Sequence, residues 1–219
     1  MTSALYGVFG TGGFGRQVMP IARDHLSKLS TLDIQLVFVD DSPVQELING
    51  HQVMSYNEFI EATASNKYIT LAIGNSVVRE KLATRCLADS ILPWSVQSGS
   101  TVITDDVSIG EGAILSHFTL LTCNITVGKY FQANHYSHVS HDCVIGDYVT
   151  FAPGVRCNGN VHIEDHAYIG TNATIKQGTP DAPLVIGRGA VIGMGAVVTK
   201  SVPAGVTVVG NPAKPLIKS

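Results

Sequence analysis

From residue 103 to residue 175 a small or apolar side chain returns at every sixth position without a slip: Ile103, Ile109, Leu115, Leu121, Val127, Ala133, Val139, Ile145, Phe151, Cys157, Ile163, Ile169 and Ile175. A second such residue follows four places after most of them, as at Val107, Ala113, Phe131, Cys143, Val155 and Ala173. After the segment TPDAP (179–183) the register resumes at Ile186, Ile192 and Val198. A strand repeats every two residues and a helix every 3.6, so neither explains a period of six. Such a period marks a solenoid of short strands, each strand forming one side of a coil. Sixteen hexads at three per triangular turn make about five coils. Residues one place after the apolar position are often turn formers (Gly110, Gly128, Asn134, Gly146, Asn158, Gly170, Gly187, Gly193), and we expect the left-handed backbone of the corners there.

The first 95 residues follow another rule. LYGVFG, IQLVFVDD and YITLAIGN read as strands. Helical patterns run from Phe14 to about Lys28 and from Ser76 to Ala88. Strands alternating with helices predict a small parallel sheet. The chain therefore divides into a Rossmann-like α/β domain over 1–95 and a parallel β-helix over 96–219. Twenty-two glycines and an aromatic content of 7% suit tightly turned β structure.

Other classes are disfavoured. No apolar run approaches the ~18 residues of a membrane span. A net charge of −3 gives no electrostatic reason to expect nucleic acid. The start MTSALYGVFG lacks the basic region of a signal peptide and reads as a buried strand, so we expect a cytoplasmic protein without membrane insertion. Cys86, Cys123, Cys143 and Cys157 form no C-x-x-C pair and are expected to be small core residues in a reducing compartment.

Gly10, Gly12 and Gly15 spell G-x-G-x-x-G between a predicted strand and a predicted helix, which aims backbone N–H groups at a phosphate. Asp40 and Asp41 close the next strand, where an acid meets a ribose hydroxyl or a base edge. A dinucleotide site and a purely structural turn are the alternatives; the first half is short for a complete two-fold dinucleotide domain. His135, His138 and His141 lie on a bent coil, not on one helical face, and no cysteine pattern joins them, so no metal is expected. His141 sits two places after the inward Val139, should point outward, and is followed by Asp142.

The repeats, with the ending IGMGAVVTKSVPAGVTVVGNPAKPL, resemble the hexapeptide-repeat acyltransferases, whose solenoid is left-handed. The elements GTGGFGR (10–16), VDD (39–41), AIGNSVVREK (72–81) and SHDCVIGD (140–147) narrow the resemblance to nucleotide-aminosugar N-acetyltransferases. That group includes the bacillosamine and perosamine enzymes and their sialic acid O-acetyltransferase relatives. The chain departs from it at Phe14, where the family often has histidine. The resemblance implies a cytoplasmic homotrimer of surface-glycan biosynthesis. It transfers acetyl from acetyl-CoA, without a metal, to the amine of a nucleotide-linked amino sugar of the 4-amino-4,6-dideoxy type. His141 would be the general base and Asp142 its orienting acid; an imidazole titrating near neutrality suits that task. Gly10, Gly12, Gly13, Asp40, Asp41, Asn75 and Asn134 would bind the sugar nucleotide. Gly159, Thr171 and Met194 would line the path of the cofactor arm. O-acetylation of a sugar hydroxyl and a non-catalytic nucleotide-binding β-helix are the alternatives.

Overall fold

The computed structural model describes residues 2–28 and 33–216. The chain forms two compact units, Met1–Gly99 with Glu111–Ile114, and Ser100–Gly110 with Leu115–Ser219.

In the first unit β1 (Thr2–Phe9) leads into α1 (Gly13–Leu26) and then β2 (Ile34–Asp40). β3 (Leu47–Ile48) and β4 (His51–Ser55) form an antiparallel hairpin, followed by α2 (Tyr56–Glu61). β5 (Ala64–Leu71), α3 (Ser76–Ala88) and β6 (Leu92–Pro93) complete it. The sheet order is β3-β4-β2-β1-β5-β6. β1 pairs in parallel with β2 on one side and β5 on the other, so the chain reverses its direction of travel across the sheet at β1. The carboxyl ends of strands at such a reversal form the crevice where open α/β sheets hold ligands. Val8, Val37, Phe38, Val39 and Ile69 are buried within the sheet. The helix expected over 14–28 spans 13–26, and the strand expected at YITLAIGN begins four residues earlier, at Ala64. β3, β4, α2 and β6 were not foreseen.

In the second unit each hexad supplies one short strand, and the strands stack into three parallel sheets. The first holds Leu120–Leu121, His138–Val139, Arg156–Cys157 and Thr174–Ile175. The second holds Ile125–Val127, Val144–Ile145 and Val161–Ile163. The third holds Gln132–Ala133, Thr150–Phe151 and Tyr168–Ile169. Registers such as Leu121↔Val139↔Cys157↔Ile175 superpose residues 18 apart in sequence, three hexads per coil. At Ile163↔Ile186 the five residues 179–183 enter as extra length at one corner without disturbing the stack. The inward positions from Leu115 onward are enclosed, Leu121, Phe151, Cys157, Ile169 and Ile175 completely; Ile103 and Ile109 are only partly buried.

The corners differ from expectation. Left-handed residues fall three places after the inward position, not one: Asp106, Phe118, Asn124, Tyr130, Tyr136, Asp142, Tyr148, Asn160, His166 and Asn172 all have φ between 53° and 62°. The glycines one place after the inward residue answer close approach of the next coil. A Cβ on Gly128 would lie 2.7 Å from the backbone nitrogen of Asp147.

Candidate active site

His141 and Asp142 occupy the corner leading from His138–Val139 to Val144–Ile145. Asp142 has φ +57°, and its backbone N–H donates to the carbonyl of Cys123 one coil earlier at 3.1 Å. This fixed backbone brings its carboxylate beside the preceding side chain, with His141 Nδ1 and Asp142 Oδ2 2.7 Å apart. An ionised carboxylate cannot donate, so Nδ1 carries a proton, and in the neutral ring Nε2 is then the lone-pair acceptor. Asn124 Nδ2 donates to the other oxygen, Asp142 Oδ1, at 3.0 Å. The hydrogen bonds from His141 and then Asn124 hold the Asp142 carboxyl below the ordinary carboxylate range, so it stays ionised at lower pH than a free aspartate. Both side chains of the pair are a little under half exposed, 44% and 45%.

The His141 ring occupies the space that a side chain at 159 would need. A Cβ on Gly159 would fall 2.5 Å from Nε2 and 2.9 Å from Nδ1. Glycine at this position therefore admits the imidazole, whatever else passes along the corner. One coil earlier a groove of about 490 Å³ opens beside Asn124, lined also by Thr104, Asp106, Ser108 and Thr126.

Three other expected residues lie on a different corner, the one leading from the third sheet back to the first. Asn134 donates through Nδ2 to the carbonyl of Phe151 at 3.2 Å, tying one coil to the next. The carbonyl of Thr171 accepts from Gly195 N at 2.8 Å, and Met194 beside it is 81% exposed. One chain brings His141, Asp142 and Gly159 together and leaves Asn134, Thr171 and Met194 apart from them.

His117, His135 and His166 and the buried cysteines are engaged elsewhere. The rings of His117 and His135 lie 5.9 Å apart, and His166 stacks on Tyr148 at 5.3 Å. Among the described residues no group of three His, Cys, Asp or Glu is placed to hold a metal ion. Cys143 and Cys157 are fully buried, and Cys143 Sγ donates to the carbonyl of Asn158 at 3.2 Å. Hydrogen bonding to Cys143 and burial push the Cys157 thiol up, and burial raises Cys86 to about 11.

In the first unit Gly10 follows β1 with φ +110°, a conformation open mainly to glycine. A Cβ on Gly15 would lie 1.8 Å from the Gly10 carbonyl oxygen, so glycine at 15 is what lets α1 start against the turn. Gly12 and Gly13 have open space beside them, and Gly12 caps α1 without a side chain. The turn abuts the end of β5, where Ala72 N donates to the Phe9 carbonyl at 2.9 Å. Asp40 accepts from Thr11 Oγ1 at 2.7 Å, which joins the end of β2 to the glycine turn. Asp41 pairs instead with Arg85 at 2.7 Å, and that guanidinium lies 3.5 Å over the Tyr56 ring. Asn75 caps α3, its Oδ1 accepting from the backbone of Val77 and Val78 at 3.1 Å each, so only its NH₂ group is left for a ligand. Thr11, Arg85 and Asn124 were not singled out in the sequence. Asn124 carried a signal, since it lies one 18-residue coil before Asp142.

A β-helix of hexapeptide coils with a His–Asp pair at one corner, together in one chain with an α/β unit carrying a glycine turn, defines the class of hexapeptide-repeat acetyltransferases. Residues 7–86 match the family model described as the PglD N-terminal domain. The GDP-perosamine N-acetyltransferase of Escherichia coli O157:H7 is 49% identical over 215 residues, covering 98% of this chain and 97% of that protein. The solved structure of WeeI from Acinetobacter baumannii AYE is 59% identical with a TM-score of 0.94, over 98% of this chain and all of the other. The acetyltransferase domain of PglB from Neisseria gonorrhoeae FA1090, solved with acetyl coenzyme A, is 27% identical with a TM-score of 0.84 over 98% of this chain and 100% of that one. The chain belongs to the nucleotide-aminosugar N-acetyltransferase family of left-handed β-helix enzymes, which use acetyl-CoA as co-substrate. Among the described residues no helix is long and apolar enough to cross a membrane.

Proposed function

We propose that this enzyme acetylates the 4-amino group of GDP-perosamine, with His141 as general base and direct attack in a ternary complex. The observation that carries the mechanism is the 2.7 Å His141–Asp142 contact at a half-exposed corner. In the neutral ring that contact puts the proton on Nδ1 and leaves Nε2 free to take another. The substrate reading rests on the end-to-end 49% identity to an enzyme named for GDP-perosamine.

The amine nitrogen attacks the thioester carbonyl of acetyl-CoA, the C–S bond breaks, and the amine proton passes to Nε2. The departing CoA thiolate takes a proton, and Asp142 stabilises the imidazolium between these steps. The first unit holds the nucleotide, with the Gly10–Gly13 turn at the diphosphate and Asp40 nearer the nucleoside. Asp41 and Asn75 fit a nucleoside role less well, because Arg85 and the start of α3 already engage them. The cofactor site is completed by a homotrimer, in which the Asn134–Thr171–Met194 corner of one copy is set against the His141 corner of the next. The division of these residues between two corners of one chain supports that arrangement.

Thiol release from acetyl-CoA is measured with GDP-perosamine, with UDP- and dTDP-linked 4-amino-4,6-dideoxy sugars, and with a GDP-sugar bearing a hydroxyl at C4. Turnover with the amines, best with the GDP sugar, supports the reading. Equal turnover of the hydroxyl sugar, or binding of NAD in preference to GDP, overturns it. Sedimentation of an active monomer overturns the trimer.

A further inference from the structure

The residues three places after the inward position form ladders up the corners of the β-helix. Two corners carry rings: Phe118 stacks on Tyr136 at 5.1 Å, and Tyr130, Tyr148 and His166 stack at 5.4 and 5.3 Å. The His141 corner carries instead Asp106, Asn124, Asp142 and Asn160, acids and amides in alternation, each with φ near +55°. Within this ladder one side-chain contact bears on the reacting pair. Asn124 Nδ2 donates to Asp142 Oδ1 at 3.0 Å, while Oδ2 of the same carboxylate meets His141 Nδ1 at 2.7 Å.

A carboxylate turns readily about its terminal bond, because that torsion is broad and two-fold. Asp142 is exposed, so water competes for both its oxygens. A donor on Oδ1 sets the plane of the group and thereby the place of Oδ2. The donor is itself held: Asn124 N donates to the Asp105 carbonyl at 3.2 Å and Ile125 N to the Asp106 carbonyl at 3.1 Å. An aspartate at 124 would set a carboxylate against both Asp106 and Asp142 and would have no proton to offer. An amide suits the position because it can donate upward without charge.

We propose that Asn124 is a positioning residue for the acetyl transfer, holding the Asp142 carboxylate so that Oδ2 stays on His141 Nδ1. This rests on the reading of His141 as the base. The distinguishing property of such a role is that it acts only through Asp142.

The test is Asn124→Gly, which removes the amide and tolerates the positive φ, made in the wild-type enzyme and again in Asp142→Ala. In the wild-type background kcat falls roughly 3- to 10-fold, the effect of losing one ordinary solvent-exposed hydrogen bond, with both KM values changed less than twofold. In the Asp142→Ala background the same substitution changes kcat less than twofold. Asn124→Asp, close in shape and also tolerant of positive φ, repeats the test should the glycine variant fold poorly, and it lowers kcat at least as much. An unchanged kcat in Asn124→Gly, or an equal fall in both backgrounds, overturns the proposal. His141→Ala is measured alongside. If it turns over normally, the base reading itself has failed. If it collapses while Asn124→Gly is normal, only the role of Asn124 has failed.

Discussion

Gly159→Ala separates two roles that this glycine can play. If the missing side chain serves only to admit the arm of acetyl-CoA, a methyl group raises the KM for acetyl-CoA and leaves kcat alone. The geometry leads to the opposite expectation. The new Cβ would lie 2.5 Å from His141 Nε2, about 1 Å inside ordinary van der Waals contact. Gly159 is not among the positive-φ residues, so alanine meets no backbone strain. The atoms in the way belong to the free end of a side chain, and the imidazole relieves the clash by turning. Turning by that amount breaks the 2.7 Å contact with Asp142. A displacement of about 1 Å at a reacting group costs about 100-fold in rate. We therefore expect Gly159→Ala to lower kcat about 100-fold, within the 10²–10⁴-fold range of general-base loss expected for His141→Ala. Thermal unfolding should stay within a few degrees of the parent. Steady-state thiol release at varied acetyl-CoA, with a melting curve on the same sample, reads both quantities. A raised KM for acetyl-CoA with kcat within threefold of the parent would refute the argument.

Three further outcomes follow from the same contacts. Gly13→Val and Asp40→Ala should each raise the KM for the sugar nucleotide at least tenfold more than that for acetyl-CoA; a Cβ at Gly13 meets nothing within 4 Å, so equal effects on both substrates would place the site elsewhere. Gly15→Ala should destabilise the protein by about 1–3 kcal/mol in urea unfolding, as overpacking does, because its Cβ would overlap the Gly10 carbonyl; unchanged stability would show that α1 can move away freely. Alanine at Cys123, Cys143 or Cys157 should leave turnover within about tenfold, and mass spectrometry after acetyl-CoA alone should find no acetylated protein; an acetyl-cysteine that chases into product would replace direct transfer with a covalent route.

The period of six was legible because every coil must bury one residue per side. That requirement repeats without regard to what the corners do, and it located Val139, Cys157 and Ile175 on one inner face. The corners were misread because residue preference was set against stacking, and stacking prevailed. Tyr130, Tyr136 and Tyr148 are poor choices for a left-handed backbone in isolation. Each has a ring one coil away, and Tyr136 N and Tyr148 N donate to the carbonyls of His117 and Lys129 on the preceding coil at 3.1 and 2.8 Å. In the first unit the short pieces were missed although one left a mark. Ser55 and Glu58 form a reciprocal cap on α2, and S-x-x-E is a signal readable in any sequence.

The site divides along the same line. The contact between His141 and Asp142 was legible because a short motif contains both residues. Asn124 and Gly159 lie one coil to either side, and only the 18-residue repeat reveals that they are neighbours. Once the repeat is known, any residue 18 places from His141 or Asp142 becomes a candidate partner of the pair. The converse also holds: Asn134 is seven residues from His141 yet on another corner, since a triangular coil turns away every six residues. Closeness in sequence is therefore a poor guide to a site built on a solenoid, and distance by whole coils a good one. Under the proposed trimer the separated corners would meet through a second copy, and the sequence of one chain would then hold every residue of a cofactor site that its own fold does not bring together.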